Sequence, residues 1–417
     1  MSNKALSLSI IGPLRKKSAL ESRDPSARPT AKERLDAPGR GARPGGRAGR
    51  GMTADFSLRV LALVTDGFGG HGGVAQYNRH FLSSLAACDR IGEVIVLPRA
   101  VSISPGPLPS RVRQLLPVRG RVAYSFAALR AARAHRPIDI VFCGHLFMAP
   151  LAAALAQLLG AKLWIQVHGI EAWQALSGLH RRSVETAVLV TAVSRYTRRR
   201  LLEWVGIDPG QVKVLPNTVD PRFKPGPKSD ILLDRHRARG KKVLMTVGRL
   251  ASSERYKGHD LVIRTLRRVL SNHPETIYLI VGDGDDRARL EALALEFGVA
   301  EIVEFVGHID AEQLPDYFRL ADVFVMPSTG EGFGIVFLEA MASGITVIGG
   351  NQDASLDPLA DGLLGTVIDP LNQEQLASAI CAALRTRSVK IDDARRFNVQ
   401  AFTEHLCALI GASFAPR

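Results

Sequence analysis

From Leu58 onward, runs of near-continuous apolar residues alternate with stretches whose apolar positions recur every three or four residues. The first kind includes "LRVLALV", "EVIVLPR", "DIVFC", "KLWIQVHG", "LVTAVS" and "VKVLPN"; the second includes "GVAQYNRHFLSSLAAC" and "PLAAALAQLLG". Strands that read apolar without alternation are covered on both faces, which implies a parallel sheet with helical crossovers. The segment Asp220 to Asp230, "DPRFKPGPKSD", breaks the pattern with three prolines and reads as an interdomain linker. The alternation then restarts with "KKVLMTVG", "TIYLIVGDG", "VEFVG", "DVFVMPS", "GITVIGG" and "LGTVID". The expected fold class is α/β, two Rossmann-like, doubly wound parallel-sheet domains facing a cleft. No apolar run approaches the roughly 20 residues of a membrane span; "LFMAPLAAALAQLLGA" comes nearest and fits a buried helix better.

Composition adds three constraints. A chain of 417 residues exceeds what one core usually serves, and a hydrophobic fraction of 46% describes a globular protein. The net charge of +14 is uneven: residues 1–51 hold twelve Lys/Arg and four Asp/Glu, supplying +8 and leaving +6 for the remainder. That stretch ends in "APGRGARPGGRAGRG", too rich in Gly, Pro and Arg for a core, and reads as a disordered basic tail. Met52, just before the first strand, offers an alternative translation start. Without interleaved aromatics or a reading module the charge gives no case for nucleic acid. Cys88, Cys143, Cys381 and Cys407 are far apart in apolar segments, so reduced buried thiols in a cytoplasmic protein are expected.

Two glycine-rich turns carry candidate chemistry. "TDGFGGHGGV" contains a literal G-x-G-x-x-G after the first strand, but the second strand ends in Pro98 and Arg99, without the acid that a dinucleotide ribose requires. A nicotinamide enzyme is therefore disfavoured; the glycines mark a close backbone approach at a strand-to-helix turn. In "STGEGFGIVFLEAMASG", Glu331 and Glu339 stand eight apart, with the amides of Phe333, Gly334 and Ile335 opening a helix between them. Such an N-terminus suits a phosphate, and the flanking acids suit hydroxyl groups on either side of it. "GDGDD", 282–286, superficially resembles a metal-binding D-x-D.

With these residues quoted, the chain resembles the family 4 glycosyltransferases, retaining enzymes of the GT-B fold, over about residues 58–412. "EGFGIVFLEAMASG" matches that family's most specific motif. "VGRLASSERYKGHD" resembles its basic donor motif, "LPNTVD" its interdomain turn, "VHG" its acceptor-domain histidine and "GGHGGV" its glycine loop. The implied domains are an acceptor-binding one at 52–222, a nucleotide-sugar-binding one at 223–395, and a C-terminal helix at 396–417 packing back on the first.

By this resemblance Arg249 and Lys257 stabilise the departing diphosphate, Glu331 holds the donor sugar and Glu339 the ribose. The spacer before Lys257 is longer than the family's common one, and "KGHD" supports the match. Gly72 and Gly73, with Phe333, Gly334 and Ile335, face the diphosphate, while Gly307 and His308 border the nucleobase. His168 contacts the sugar near the reacting carbon, and His145 the acceptor. With fixed cations present, no metal and no cofactor are expected.

The implied reaction moves a hexose, mannose from GDP-mannose or a glucose-type sugar from a UDP donor, to a glycan or polyprenyl-linked acceptor in bacterial polysaccharide synthesis. A nucleotide-sugar epimerase of the same fold, and a non-catalytic basic nucleic-acid or membrane-binding protein, are the alternatives. Residues 111–136 carry seven arginines and no acid, and "RYTRRRLLEW" from Arg195 carries four more. These runs lead to an expectation of reversible binding to an anionic inner leaflet by a cytoplasmic enzyme. Donor sugar, acceptor and oligomeric state are not legible in the sequence.

Overall fold

The computed structural model describes residues 57–70, 72–385 and 395–414. The basic tail lies outside them. The first half contains β1 (Leu58–Asp66), α1 (Gly73–Ala87), β2 (Ile91–Ala100), β3 (Val112–Gln114), α2 (Arg121–Ala134) and β4 (Ile140–Cys143). It continues with α3 (Ala149–Leu159), β5 (Lys162–Val167), α4 (Gly178–Glu185), β6 (Leu189–Ala192), α5 (Arg195–Leu202) and β7 (Val212–Val214). These strands form one sheet in the order β3-β2-β1-β4-β5-β6-β7, and every pair is parallel.

The second half contains α6 (Asp230–Arg235), β8 (Lys242–Val247), α7 (His259–Leu270), β9 (Thr276–Val281), α8 (Arg287–Glu296), β10 (Val303–Gly307) and α9 (Leu314–Leu320). It closes with β11 (Val323–Met326), α10 (Ile335–Ala342), β12 (Thr346–Gly350), β13 (Thr366–Ile368), α11 (Gln373–Arg385) and α12 (Val399–Ser413). Its strand order is β10-β9-β8-β11-β12-β13, again parallel throughout.

The unbroken apolar runs have the expected cause. In β1, Val60, Ala62 and Val64 point into one apolar cluster and Leu61 and Leu63 into another, all fully buried. The first of these clusters continues through Phe324, Phe337 and Met341 to Phe402 and Leu406 of α12, so one apolar body joins the inner faces of both sheets. The two chain crossings between the halves run side by side: Thr218 Oγ1 and the Val219 amide both donate to the Phe397 carbonyl, at 2.6 and 3.1 Å.

Helix α12 packs on α1, with Thr403 Oγ1 donating to Ser84 Oγ at 2.8 Å and Arg90 Nη1 to the Gly411 carbonyl at 3.2 Å. Here one expectation fails: Cys88, the C-cap of α1, and Cys407 of α12 form a disulfide with Cα atoms 5.5 Å apart. They are 319 residues apart. Spacing along the chain carried no sign that the helix containing Cys407 returns to the end of α1. Cys143 and Cys381 remain free thiols, as expected.

Candidate functional site

Each sheet reverses its winding once, between β1 and β4 and between β8 and β11, and ligands of open α/β sheets bind beyond the carboxyl ends of strands at such points. The candidate residues follow these strands. Gly72 and Gly73 come after β1, His145 after β4 and His168 after β5, while Arg249 and Lys257 follow β8 and Glu331 follows β11.

On the second sheet a short 3-10 turn, Ser252–Lys257, carries the lysine back towards the β11 loop. Lys257 Nζ pairs with Glu331, and Glu254 Oε2 lies 3.7 Å from the same ammonium. Burial works most strongly to lower the Lys257 ammonium, but Glu331, Tyr256 and Glu254 together outweigh it and hold the group above its ordinary value. Arg249 reaches Glu254 as well, yet its side chain stays 79% exposed and so is free to turn. Glu254 thus touches both cations, a role no motif announced.

Helix α10 begins after Gly334, whose φ of 82° is the left-handed conformation that glycine adopts without cost. Its first residue lies against the start of α1: a Cβ built on Gly73 would lie 3.9 Å from Ile335 Cδ1. Phe333 is buried, its ring 6.1 Å from that of Phe397, so the residue before the helix anchors the loop in the core. One and a half turns in, Glu339 is only 3% exposed and accepts a hydrogen bond from Gln76 Nε2 at 3.1 Å. Burial pushes its carboxyl up to about 7, partly opposed by Gln76.

The two halves also touch backbone to backbone. A Cβ on Gly169 would fall 2.7 Å from Gly332 Cα, and one on Gly332 would collide with the His168 carbonyl. Only glycines permit the His168 turn and the Glu331 loop to approach so closely.

His168 Nε2 lies 2.9 Å from the Gly144 carbonyl; since a carbonyl only accepts, that nitrogen carries the hydrogen. Its backbone N–H is held by Glu171, and its ring stands edge-on to Tyr77 at 5.0 Å. Burial lowers the imidazole pKa, as it does for His145, whose ring centroid is 6.2 Å away. His145 is occupied locally, its Nδ1 accepting from the Phe147 amide at 3.3 Å.

Gly307 and His308 stand further off. Gly282 links them to the cluster: its amide donates to the Gly307 carbonyl at 2.8 Å, and a Cβ on it would collide with the Gly248 carbonyl before Arg249. His308 is exposed. In "GDGDD", Asp285 caps Ser252, and Asp286 pairs with Arg255 and Arg289. These carboxylates therefore brace the turn that carries Lys257.

Arginines of the second run also have partners within the protein. Arg195 pairs with Asp357 and Asp361, Arg198 donates to the Val212 and Pro209 carbonyls, and Arg200 to Glu203 and the Trp173 carbonyl. Sequence reasoning also missed Gln76, Asp353 and Glu171. Of these only Asp353, an Asx-type cap, left a local signal.

The family model of glycosyl transferases group 1 matches residues 231–401, and that of glycosyltransferase family 4 matches 71–223. The chain is 33% identical over 256 residues to a GDP-mannose-dependent alpha-(1-6)-phosphatidylinositol monomannoside mannosyltransferase of Mycolicibacterium smegmatis, covering 58% of this chain and 66% of that protein. It is 32% identical over 284 residues to the corresponding protein of Mycobacterium tuberculosis, covering 64% and 73%. A D-inositol 3-phosphate glycosyltransferase of Geodermatophilus obscurus is 32% identical over 208 residues, 48% of this chain and 46% of that protein. Among solved structures, HepE of Anabaena with UDP and glucose superposes with a TM-score of 0.68 at 21% identity, over 85% of this chain and all of that one. Two parallel sheets that each reverse their winding once, the two family models in sequence order and these relatives lead to one identification: the chain belongs to glycosyltransferase family 4 and has the GT-B fold.

Proposed function

We propose that the protein transfers mannose from GDP-mannose, with retention of configuration, to a glycan or a lipid-linked acceptor. The observation that carries this reading is the Lys257–Glu331 pair set beside the N-terminus of α10, which Gly73 faces from the other half. A donor entering there exchanges that ion pair for its own contacts. Lys257 turns to the diphosphate, Glu331 is released to accept from sugar hydroxyls, and Arg249 swings in from solvent. Fixed cations and helix amides stabilise the charge that develops on the leaving nucleoside diphosphate. This electrostatic work needs neither metal nor cofactor in our reading.

Glu339, beside Gln76, holds ribose hydroxyls. His168 lies near the reacting carbon as a neutral ring, its Nε2 hydrogen held by Gly144; front-face retention requires no protein base, and in our reading the leaving phosphate takes the acceptor's proton. Gly307 and His308 border the base, and His145 the acceptor. The preference for GDP-mannose rests on the relatives from Mycolicibacterium and Mycobacterium, whose names specify that donor; a UDP-hexose is the competing choice.

The same relatives act on a phosphatidylinositol mannoside, which supports an acceptor presented at a membrane. No helix among the described residues is long and apolar enough to cross a bilayer. Helix α2 offers a peripheral contact, with Val122 71% and Phe126 70% exposed beside exposed Arg121, Arg130 and Arg133. Calorimetric titration with GDP, UDP, GMP and UMP tests the donor reading. Tighter binding of GDP than of UDP supports it, and no diphosphate binding removes it.

A further inference from the structure

We propose that Arg195 is a positioning residue, clasping Asp357 and Asp361 across the domain junction and thereby fixing the backbone of Glu331. This rests on the reading of Glu331 as the donor-sugar contact.

Arg195 opens α5, behind Ser194, whose side chain caps that helix. Four donors of this one residue cross to the other half. Its backbone N–H and Nε both reach Asp357 Oδ1 at 3.0 Å, and Nη1 and Nη2 reach the two Asp361 oxygens at 2.9 and 2.8 Å. The last two bonds form the planar fork that a guanidinium makes and an ammonium does not.

What the clasp holds is the short turn that holds Glu331. Asp357 closes the 3-10 turn Ala354–Leu356, and Asp353 opens it. Asp353 is fully buried; one of its oxygens accepts from the Glu331 amide at 2.6 Å and the other from the Ser355 amide at 2.9 Å. The Glu331 carbonyl in turn accepts from the Ala354 amide at 3.2 Å. Both backbone polar groups of Glu331 are thus tied to a turn whose far end Arg195 grips. Just beyond it, Ala360 and Asp361 have φ of 50° and 56°, a left-handed pair that L residues rarely adopt without external constraint. The fork on Asp361 is such a constraint. A single exposed ion pair contributes little. Two donors on the end of this turn and two on Asp361 just beyond it, next to the Gly169–Gly332 contact, form a joint that couples the acceptor half to the donor loop.

The test compares full-length wild type with Arg195→Ala, Arg195→Lys and Asp361→Asn. Hydrogen exchange of residues 330–335 and 353–362 is expected to accelerate about fivefold to tenfold in Arg195→Ala, the rest of the chain being unchanged. The Arg195→Lys variant keeps the charge but offers one donor point in place of the fork, so it falls between wild type and Arg195→Ala. High salt moves wild type towards Arg195→Ala. Affinity for free GDP or UDP stays within about twofold, because Glu339 rather than Glu331 reads that part. Affinity for GDP-mannose or UDP-glucose falls about fivefold, on the order of one exposed ionic network. Unchanged exchange in the two loops, uniform acceleration along the chain, or equal losses for nucleotide and nucleotide sugar would each overturn the clasp. If wild type binds no nucleoside diphosphate, the donor reading fails, while the exchange data still judge the joint.

Discussion

Gln76 of α1 and Glu339 of α10 are joined by a 3.1 Å hydrogen bond, although their helices belong to different halves of the chain and the residues stand 263 apart. The carboxyl that receives it is almost fully enclosed, and that burial raises it to about 7. Below about 4.5 this group is protonated in folded and unfolded chain alike, and its contribution to stability is fully present. As pH rises through about 7 the unfolded chain has already released the proton, so stability is lost. Glu339→Gln keeps the acceptor for Gln76 and cannot ionise. By pH 8 wild type is expected to lose about 3 kcal/mol relative to Glu339→Gln, read by urea unfolding from pH 4.5 to 8. Parallel curves would show that the carboxyl is not buried as described.

Glu331→Ala and Arg249→Ala should suppress transfer by about a hundredfold or more, on the order of 3 kcal/mol of transition-state stabilisation each. Circular dichroism should show both folded. Arg249 lies largely in solvent, so its loss removes little packing. Glu331→Ala leaves Lys257 with Glu254 and the Tyr256 ring, and a few degrees of lost thermal stability accompany it. Near wild-type turnover in either folded variant would remove that residue from the site.

The disulfide between Cys88 and Cys407 should be visible as two titratable thiols rather than four when the oxidised chain is unfolded and treated with Ellman's reagent. Breaking it with reductant, or by Cys407→Ser, should lower stability by about 2–4 kcal/mol, because the cross-link closes a long loop in the unfolded chain. Cys143→Ser and Cys381→Ser serve as controls with no change in thiol pairing. Four free thiols in oxidised protein would contradict the assignment.

Stereochemistry checks the proposed mechanism independently of any mutation. With an α-linked donor such as GDP-mannose, proton NMR of the first-formed product should show an α anomer. A β product would point to direct displacement by an acceptor activated by a protein base, and would overturn the proposed mechanism.

Much of the fold was legible because burial on both faces writes itself into the chain as unbroken runs such as "LRVLALV" and "TIYLIV", both of which became strands. The placing of Glu331 in a loop and Glu339 on the helix after it could be read from the local pattern, whereas Lys257 stood out only through its resemblance to a family motif. What escaped was set by tertiary approach. Gln76 meets Glu339, Arg195 meets Asp361 and Cys88 meets Cys407 only because two sheets and a returning helix come together. Arg195 illustrates the loss best. In the sequence it is one more arginine in a basic run, and only its two aspartates distinguish it from a solvated charge.

The contact between Gly169 and Gly332 fixes a minimum gauge for the cleft, set by the thickness of two bare backbones. A single methyl group at position 332 would act as a shim, holding the jaws apart by about the width of a carbon atom while leaving both sheets intact. Such a shimmed protein is a tool rather than a lesion. It would separate donor loading, for which the second sheet supplies Lys257, Glu331 and Glu339, from the closed encounter in which both substrates meet.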